Sequence, residues 1–248
     1  MDHPIVSVIM PTYNSSDYIE TAIHSVLIQD IPLELIIIDD CSSDQTQKLL
    51  KKYDTHDNIL YVRNDLNLGA AASRNKGVTL AKGKYVAFLD SDDYWLPHKL
   101  SRQLDTIEAK QRVLCATARE LMTPVGQLTG KILAVPENIT YRMMLGQNLI
   151  NCSSVLLLRE VALEFPMEHE DSHEDYIMWL KILQKYKKVC AVNEPLLKYR
   201  LSSSGKSGNK LHSAKMTFKV YRYMGFGMIK SCMCFISYAV HGVVKYHR

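Results

Sequence analysis

A chain of 248 residues, 47% apolar and 23% charged, can build one large domain, or one domain with an appendage, which excludes a disordered or fibrous protein. Its six cysteines (41, 115, 152, 190, 232 and 234) are scattered, which argues against a disulfide framework and a zinc site and fits a reducing compartment. The net charge of +4 is uneven: from Leu201 onward there are eight Lys/Arg and no Asp or Glu, which leaves residues 1–200 with 22 basic and 26 acidic side chains, net −4. An acidic body with a basic tail implies an anionic partner for the tail.

The first residues lead directly into a strand, without the basic, apolar and small-residue pattern of a signal peptide, and none is expected. Val6 to Met10 reads as that strand. Pro11-Thr12-Tyr13-Asn14 is expected to end it, because proline cannot continue a central ladder. Ser15 or Ser16 can cap a helix from Asp17 to Gln29, with Ile19, Ala22, Ile23, Val26 and Leu27 as its apolar positions. Glu34 to Asp40 is a second strand whose unbroken apolar run suits a central parallel position. Ser42, Ser43 or Asp44 then caps a second helix, to about Tyr53. Ile59 to Arg63 is a third strand, Asn64 to Gly69 a polar loop, Ala70 to Ala81 a helix of small residues, and Tyr85 to Leu89 a fourth strand. Strands alternating with helices predict an α/β, doubly wound, Rossmann-like fold whose mostly parallel sheet is flanked by helices.

The second half is less regular. Pro97 to Lys110 reads as a helix with Pro97 in its first turn, and Val113 to Ala118 as a strand. Thr123 to Asn138 is a loop or hairpin, Val155 to Leu158 a strand, and His173 to Tyr186 a helix. Val189 to Val192 and Leu196 to Tyr199 are two short strands.

The fourth strand ends in Asp90-Ser91-Asp92-Asp93, three carboxylates within four residues. Like charges this close repel, and unpaired burial is costly. A divalent cation such as Mg²⁺ or Mn²⁺ would relieve them, since one or two carboxylates plus substrate phosphates is a usual arrangement for such an ion. The other reading is a solvated acidic turn.

Four motifs in order carry a resemblance: Val6-Ser7-Val8-Ile9-Met10-Pro11-Thr12-Tyr13-Asn14; Ile37-Ile38-Asp39-Asp40-Cys41-Ser42-Ser43-Asp44; Asn67-Leu68-Gly69 with Ala72-Ser73-Arg74-Asn75-Lys76-Gly77; and Phe88-Leu89-Asp90-Ser91-Asp92-Asp93. A fifth, weaker one is Glu174-Asp175 leading into Trp179-Leu180. Together they span roughly residues 5–200, and the chain resembles a family 2 glycosyltransferase of the GT-A fold. The nearest likeness is to bacterial polysaccharide and O-antigen enzymes.

The resemblance implies roles. Pro11, Thr12 and Tyr13, with Asn14, match the loop that packs along the nucleotide base; ordinary packing is the plain alternative for Tyr13. Asp39 and Asp40 match the carboxylate that accepts from the uracil or ribose edge, with Asp40 favoured. Arg74 is placed to grip phosphate or to orient the carboxylate cluster, or else to make a surface salt bridge. Asp90-Ser91-Asp92 matches the family's D-x-D: Asp92 ligates the metal, Asp90 holds ribose or metal-bound water, and Ser91 counts among the donor contacts. Asp93 is left to cap the next segment. Asp175 matches the general base and Glu174 its tuning or acceptor-holding neighbour; a solvated loop with a helix cap is the alternative. Arg200 and Lys206 fall in a segment, Tyr199 to Ser207, that resembles a loop closing over the diphosphate. This chain has no His there before His212, and a flexible Ser/Gly linker is the alternative.

The implied reaction is inverting transfer of a sugar from a UDP-sugar to an acceptor hydroxyl, forming a β-linkage. The implied acceptor is a lipid-linked saccharide. The expected division is a transferase domain, 1–205, with a nucleotide-sugar half (1–95) and an acceptor half (96–205), then a helical tail, 206–248. Met224 to Val244 is mostly apolar but carries Lys230 and His241, too broken for a spanning helix of about 20 apolar residues. A helix lying on an anionic membrane surface is expected, on the inner face of the cell membrane, with a helix packed on the domain as the alternative. No nucleic-acid partner is expected. Two rivals remain. A nucleotidyltransferase would want a Gly-rich basic loop after the first strand; a non-catalytic nucleotide-sugar-binding module would tolerate loss of the D-x-D or the base. A dinucleotide oxidoreductase is disfavoured because no G-x-G-x-x-G follows the first strand.

Overall fold

The computed structural model describes residues 3–201 and 210–247, with side-chain surroundings for 3–201 and 211–240. In chain order the elements are β1 (Val6–Thr12), α1 (Ile19–Leu27), β2 (Leu33–Asp39), α2 (Thr46–Leu50), β3 (Ile59–Arg63), α3 (Ala70–Leu80), β4 (Tyr85–Phe88), β5 (Tyr94–Trp95) and α4 (Lys99–Ala109). They continue with β6 (Leu114–Met122), β7 (Leu128–Leu133), β8 (Asn138–Thr140), α5 (Tyr141–Gly146), β9 (Leu156–Leu158), α6 (Arg159–Glu164), α7 (Glu174–Tyr186), β10 (Lys188–Arg200), α8 (Lys210–Tyr223) and α9 (Met228–His247).

One sheet runs through the molecule in the order β3-β2-β1-β4-β9-β6-β10-β5, with β7 on β6 and β8 on β10. Its first four strands are parallel. Beyond β4 the sheet is mixed, because β9 enters antiparallel between β4 and β6 while β6 and β10 run parallel. The fully buried runs Val6–Met10 and Leu35–Ile38 carry the parallel half, as strands covered on both faces must. One core cluster lies on each face of the sheet: Ile9, Ile36 and Phe88 face α3 and α7, while Val8, Leu35 and Ala87 face α1 and α4. Gly77 lets α3 lie flat on β1, since a Cβ there would run into the Ile9 side chain.

Several boundaries differ from the sequence reading. The first strand continues through Pro11 to Thr12, in register with Ile38 and Asp39. Its pairing with β4 stops at Ile9. Ile9 O accepts from Leu89 N on the β4 side and Thr12 O accepts from Asp40 N on the β2 side, so the missing N–H of Pro11 falls where β4 has already left. Neither Ser15 nor Ser16 caps α1, which begins at Ile19 without a side-chain cap. Asp44 accepts from Thr46 N and Ser16 N just ahead of α2, so it pins two loops together. Pro97 lies outside α4, which starts after His98 in a left-handed conformation. The two short strands expected between 189 and 199 are one strand, β10, with a register shift between Val192 and Leu197 around Pro195.

The tail forms two helices. α8 sinks Met216, Thr217, Val220 and Tyr221 into the body, and α9 folds back with Phe235 edge-on to Phe218 and Tyr238 near Tyr176. Among the described residues, no helix is long and apolar enough to cross a membrane.

Candidate active site

The carboxyl ends of β1, β2 and β4 lie side by side at one end of the sheet, where open α/β sheets bind ligands. Pro11 and Thr12 are buried there and Tyr13 is 51% exposed at the rim, free to lie against a flat ring. The loops around it are tied side to side. Asn14 N donates to Ser42 Oγ at 3.0 Å, Asn14 Oδ1 accepts from Ser43 N at 2.8 Å, and Ser15 Oγ meets Ser91 Oγ at 2.7 Å. Asn14 and Ser91 thus hold the rim in shape.

Asp39 and Asp40 both have local work. Asp39 accepts from Ser42 N at 2.9 Å and Tyr61 Oη at 2.9 Å. Asp40, favoured in sequence as the contact for the base, accepts from Asn64 Nδ2 (2.8 Å), Leu68 N (2.9 Å) and Gly69 N (2.7 Å). It anchors the 64–69 loop. Gly69 is needed there twice over: its φ is +89°, and a Cβ would meet Glu170 Cδ at 2.7 Å.

Arg74 is the link between the two acidic stretches. It is 5% exposed, which rules out the surface salt bridge. One guanidinium nitrogen donates to Asp90 Oδ1 at 2.6 Å and the other to Glu174 Oε1 at 3.1 Å. Both bonds join charged groups, the strong kind, and they fix the D-x-D turn against the start of α7. Of the roles open to it in sequence, Arg74 takes the orienting one.

Within the D-x-D turn the three carboxylates diverge. Asp90 pairs with Arg74 and its backbone N donates to Ser153 Oγ. Asp93 is buried and accepts from Arg200 N at 2.8 Å, so it staples the turn to β10 and caps nothing. Asp92 makes no ion pair among the described residues. Burial and then the Asp90 charge push its carboxyl up to about 6. Arg200 lies behind this turn: its Nε donates to Asp92 O (2.8 Å), its Nη1 to Pro124 O (2.9 Å), and its guanidinium stacks 4.2 Å from the Tyr18 ring. It braces the loop in this structure. Lys206 and Ser202–Ser207, expected to close over the diphosphate, lie outside the described residues.

The run from Glu168 to Asp175 sorts itself in the same way. Glu168 pairs with Lys181 and Asp171 with Lys219, while Glu174 takes Arg74. Glu170 accepts from Ala71 N at 2.8 Å at the start of α3, a helix whose own residues supply no cap. Asp175 is left half-buried, its Oδ1 accepting from Tyr176 N, with no ion pair among the described residues. Burial and then Glu174 push it up to about 6, against the pull of His173 and Arg74. A carboxylate poised there can take a proton near neutral pH. Cys152, buried beside Arg74, has its thiol pushed well up by burial and is no nucleophile.

The brace behind Asp175 comes from α8, which sequence reading missed. His169 stacks on Tyr223 at 3.7 Å, Asp171 accepts from Tyr223 Oη and Lys219 Nζ, Ser172 Oγ donates to Met216 O, and His173 Nε2 lies 3.3 Å from Ser213 O. Almost every residue from 169 to 173 is gripped by one helix. These partners are 40 to 52 residues away by hydrogen bond, and the His169–Tyr223 stack is longer still, so they carry no local signal.

For a metal, no group of three or more His, Cys, Asp or Glu is gathered among the described residues. The fit is to an ion held by one or two carboxylates plus substrate phosphates. Asp92 meets it: a desolvated oxygen donor, beside Asp90, whose raised pKa a nearby cation would reverse.

A Rossmann-like parallel half, a mixed second half and an acidic turn where they meet form the arrangement expected of the GT-A fold. The glycosyl transferase family 2 model matches residues 7–164. A Bacillus subtilis (strain 168) glycosyltransferase named for teichuronic acid biosynthesis, TuaG, is 40% identical over 98% of this chain and 97% of its own length. Two Escherichia coli proteins, WfaP and WfgD, are 33% and 35% identical over 98% and 99% of this chain and 95% and 96% of theirs. Both are named UDP-Glc:α-D-GlcNAc-diphosphoundecaprenol β-1,3-glucosyltransferases. Among solved structures, Staphylococcus aureus TarS 1–349 with UDP-GlcNAc superposes at TM-score 0.72 with 20% identity, over 94% of this chain and 71% of that one. The Pyrobaculum calidifontis mannosyltransferase PcManGT with GDP-Man and Mn²⁺ gives TM-score 0.72 and 17% identity, over 97% and 74%. This chain belongs to glycosyltransferase family 2, and the nucleotidyltransferase and non-catalytic readings fall away. The two structural neighbours hold different nucleotides, so the fold by itself does not choose uridine.

Proposed function

We propose that this enzyme transfers a sugar from a UDP-sugar to a hydroxyl of a lipid-linked saccharide, with inversion, in the synthesis of a cell-surface polysaccharide. The observation that carries the reading is Arg74, one buried guanidinium bonded to both Asp90 and Glu174. It sets the donor end and the acceptor end of the cleft at a fixed spacing. Support for uridine and for a diphosphate-lipid acceptor comes from the names of WfaP and WfgD, full-length relatives.

The residues divide the work. Tyr13 lies along the base, with Pro11 and Thr12 beneath it. Asp39, Asp40, Asn14 and Ser91 keep the surrounding loops in register. Asp92, with Asp90, would hold Mg²⁺ or Mn²⁺. When bound, that ion supplies Lewis-acid stabilisation of the charge on the departing diphosphate. Asp175 accepts the acceptor hydroxyl proton as the new C–O bond forms at the anomeric carbon. The bond to the diphosphate breaks on the opposite face. An α-configured donor therefore yields a β-linkage. Arg74 keeps Glu174 and Asp90 from repelling one another, and Arg200 holds the turn that carries Asp92.

The test is a donor screen on the full chain with a GlcNAc-diphosphate-lipid acceptor, with and without EDTA, reading UDP release and the anomeric configuration of the product. A β-linked product from one UDP-sugar, lost with EDTA, is expected. An α-linked product would exclude direct displacement with Asp175 as base.

A further inference from the structure

α9 is apolar on two opposite faces, and only one of them is used. The inner face buries Ser231 and turns Phe235 and Tyr238 onto Phe218 and Tyr176. Half a turn away, Ile229 (80% exposed), Met233 (66%), Ile236 (63%) and Val240 (59%) recur at helical spacing and form one outward stripe. A helix that is apolar all round belongs inside a protein or in lipid. This one lies on the outside.

We infer that the outer stripe of α9 docks the enzyme on an anionic phospholipid bilayer, lying along the surface. The inference rests on the proposed function only for its purpose, which is to bring the cleft to an acceptor anchored in that membrane. Charge decides the occupant. From Leu201 to the end there are eight Lys/Arg and no acidic residue, so the segment that carries the stripe is of one sign, with Lys219 paired to Asp171 of the body. A second copy packed stripe to stripe about a two-fold axis would bring together two tails that each carry eight Lys/Arg and no acidic residue. An anionic bilayer supplies both the apolar layer and the countercharge. Its 20 residues give α9 a length of about 30 Å, enough for a broad contact in the interface plane. The helix is unsuited to spanning, as the hydropathy of the described residues shows. The inner face of α9 rests on α8, which grips the loop before Asp175, so the docked surface and the acceptor end of the cleft belong to one packed unit.

The experiment is flotation of the full chain with vesicles of pure phosphatidylcholine or of phosphatidylcholine with phosphatidylglycerol. It compares the native protein with the pair Ile229→Ser/Ile236→Ser and with Lys230→Gln. The native chain should float with phosphatidylglycerol vesicles, weakly with phosphatidylcholine, and less as salt rises. Removing two exposed isoleucines should lower the partition by at least about tenfold. Lys230→Gln should lower it by a smaller factor. UDP release from the donor in detergent, with the acceptor dispersed, should be unchanged in both variants. Equal flotation of the paired variant, no flotation of the native chain, or a stripe-dependent dimer in sedimentation without vesicles would overturn the docking surface. Vesicle binding in a protein that releases no UDP would instead sink the proposed function and leave the surface standing. Should the paired variant fold poorly, the salt and lipid dependence of the native chain still decides.

Discussion

At the end of β4, three aspartates sit within four residues: Asp90 pairs with Arg74, Asp93 accepts the backbone N–H of Arg200, and Asp92 offers only its backbone O to the Arg200 guanidinium. Ahead of α7, five acidic residues spread over eight positions meet Lys181, the α3 amino terminus, Lys219 and Arg74. Asp92 in the first cluster and Asp175 in the second make no ion pair among the described residues, and each is pushed up to about 6; Asp93 makes none either, but it is buried, accepts from Arg200 N and is pushed well up by burial. Tying the neighbouring carboxylates to fixed partners leaves Asp92 and Asp175 as the ones open to chemistry. The clusters differ in where the pairing comes from. The β4 turn is held from within the body, by Arg74 of α3 and Arg200 of β10, whereas the α7 loop is held largely by a helix from the tail. The donor end should therefore tolerate damage to the tail, and the acceptor end should not.

The largest effect expected is at the donor end. Asp92→Asn removes the ligand for the ion and should lower transfer by at least about a hundredfold, since charge stabilisation of this kind is worth several kcal/mol. The metal requirement should disappear with the activity. Full activity and unaltered EDTA sensitivity would remove Asp92 from the site.

Arg74→Gln strikes both clusters at once. Losing one partner of a buried ion pair costs about 3–5 kcal/mol, here toward the lower figure because Asp90 is 30% exposed. A large drop in the urea midpoint is expected, with turnover falling at saturating donor and acceptor. Arg74→Lys should rescue little, because one ammonium cannot reach two carboxylates in a fixed fork.

A third change isolates the acceptor end. Tyr223→Phe combined with Lys219→Met releases Asp171 and loosens the base loop from α8. Turnover should fall by about tenfold, while the donor KM stays put. A rise in donor KM instead would mean that the tail serves both ends equally.

The smallest effect has a sign that runs against function. The folded pKa of Asp175 is above its ordinary value of 3.8, so the unfolded chain binds fewer protons at this site. Its contribution to stability is then fullest below about pH 4 and is lost as pH rises through about 6. Asp175→Asn should stabilise the fold at pH 8, by at most roughly 3 kcal/mol, and should change little at pH 4. Thermal unfolding at the two pH values checks this.

Much of the parallel half was legible because its signals are local. An apolar run ended by carboxylates gives β2 and β4 directly, and the small residues of α3 announce close packing. What could not be read is partnership at a distance. Asp40 was favoured as the base contact because nothing in sequence reveals Leu68 N and Gly69 N arriving to fill it. Arg200 is expected toward the diphosphate, and the contacts of its guanidinium with Asp92 O and Pro124 O carry no signal in the sequence. Pro195 made β10 look like two strands, because the bulge that absorbs it depends on the neighbouring strand β6. Short elements such as β5, α5 and α6 are set by packing and have no periodicity long enough to detect. The acidic turn at the end of β4 is readable because its charges are crowded within four residues.

The central claim is that Asp175 is the base and not a donor contact. The direct measurement sets the saturating rate of transfer beside the affinity for UDP, in the native enzyme and in Asp175→Asn at pH 7.5, with the same metal and acceptor. The account predicts a rate lower by roughly 10²–10⁴-fold, the usual worth of general base catalysis, with UDP affinity unchanged. A variant that keeps its rate, or that loses UDP affinity while turnover at saturation survives, would contradict it.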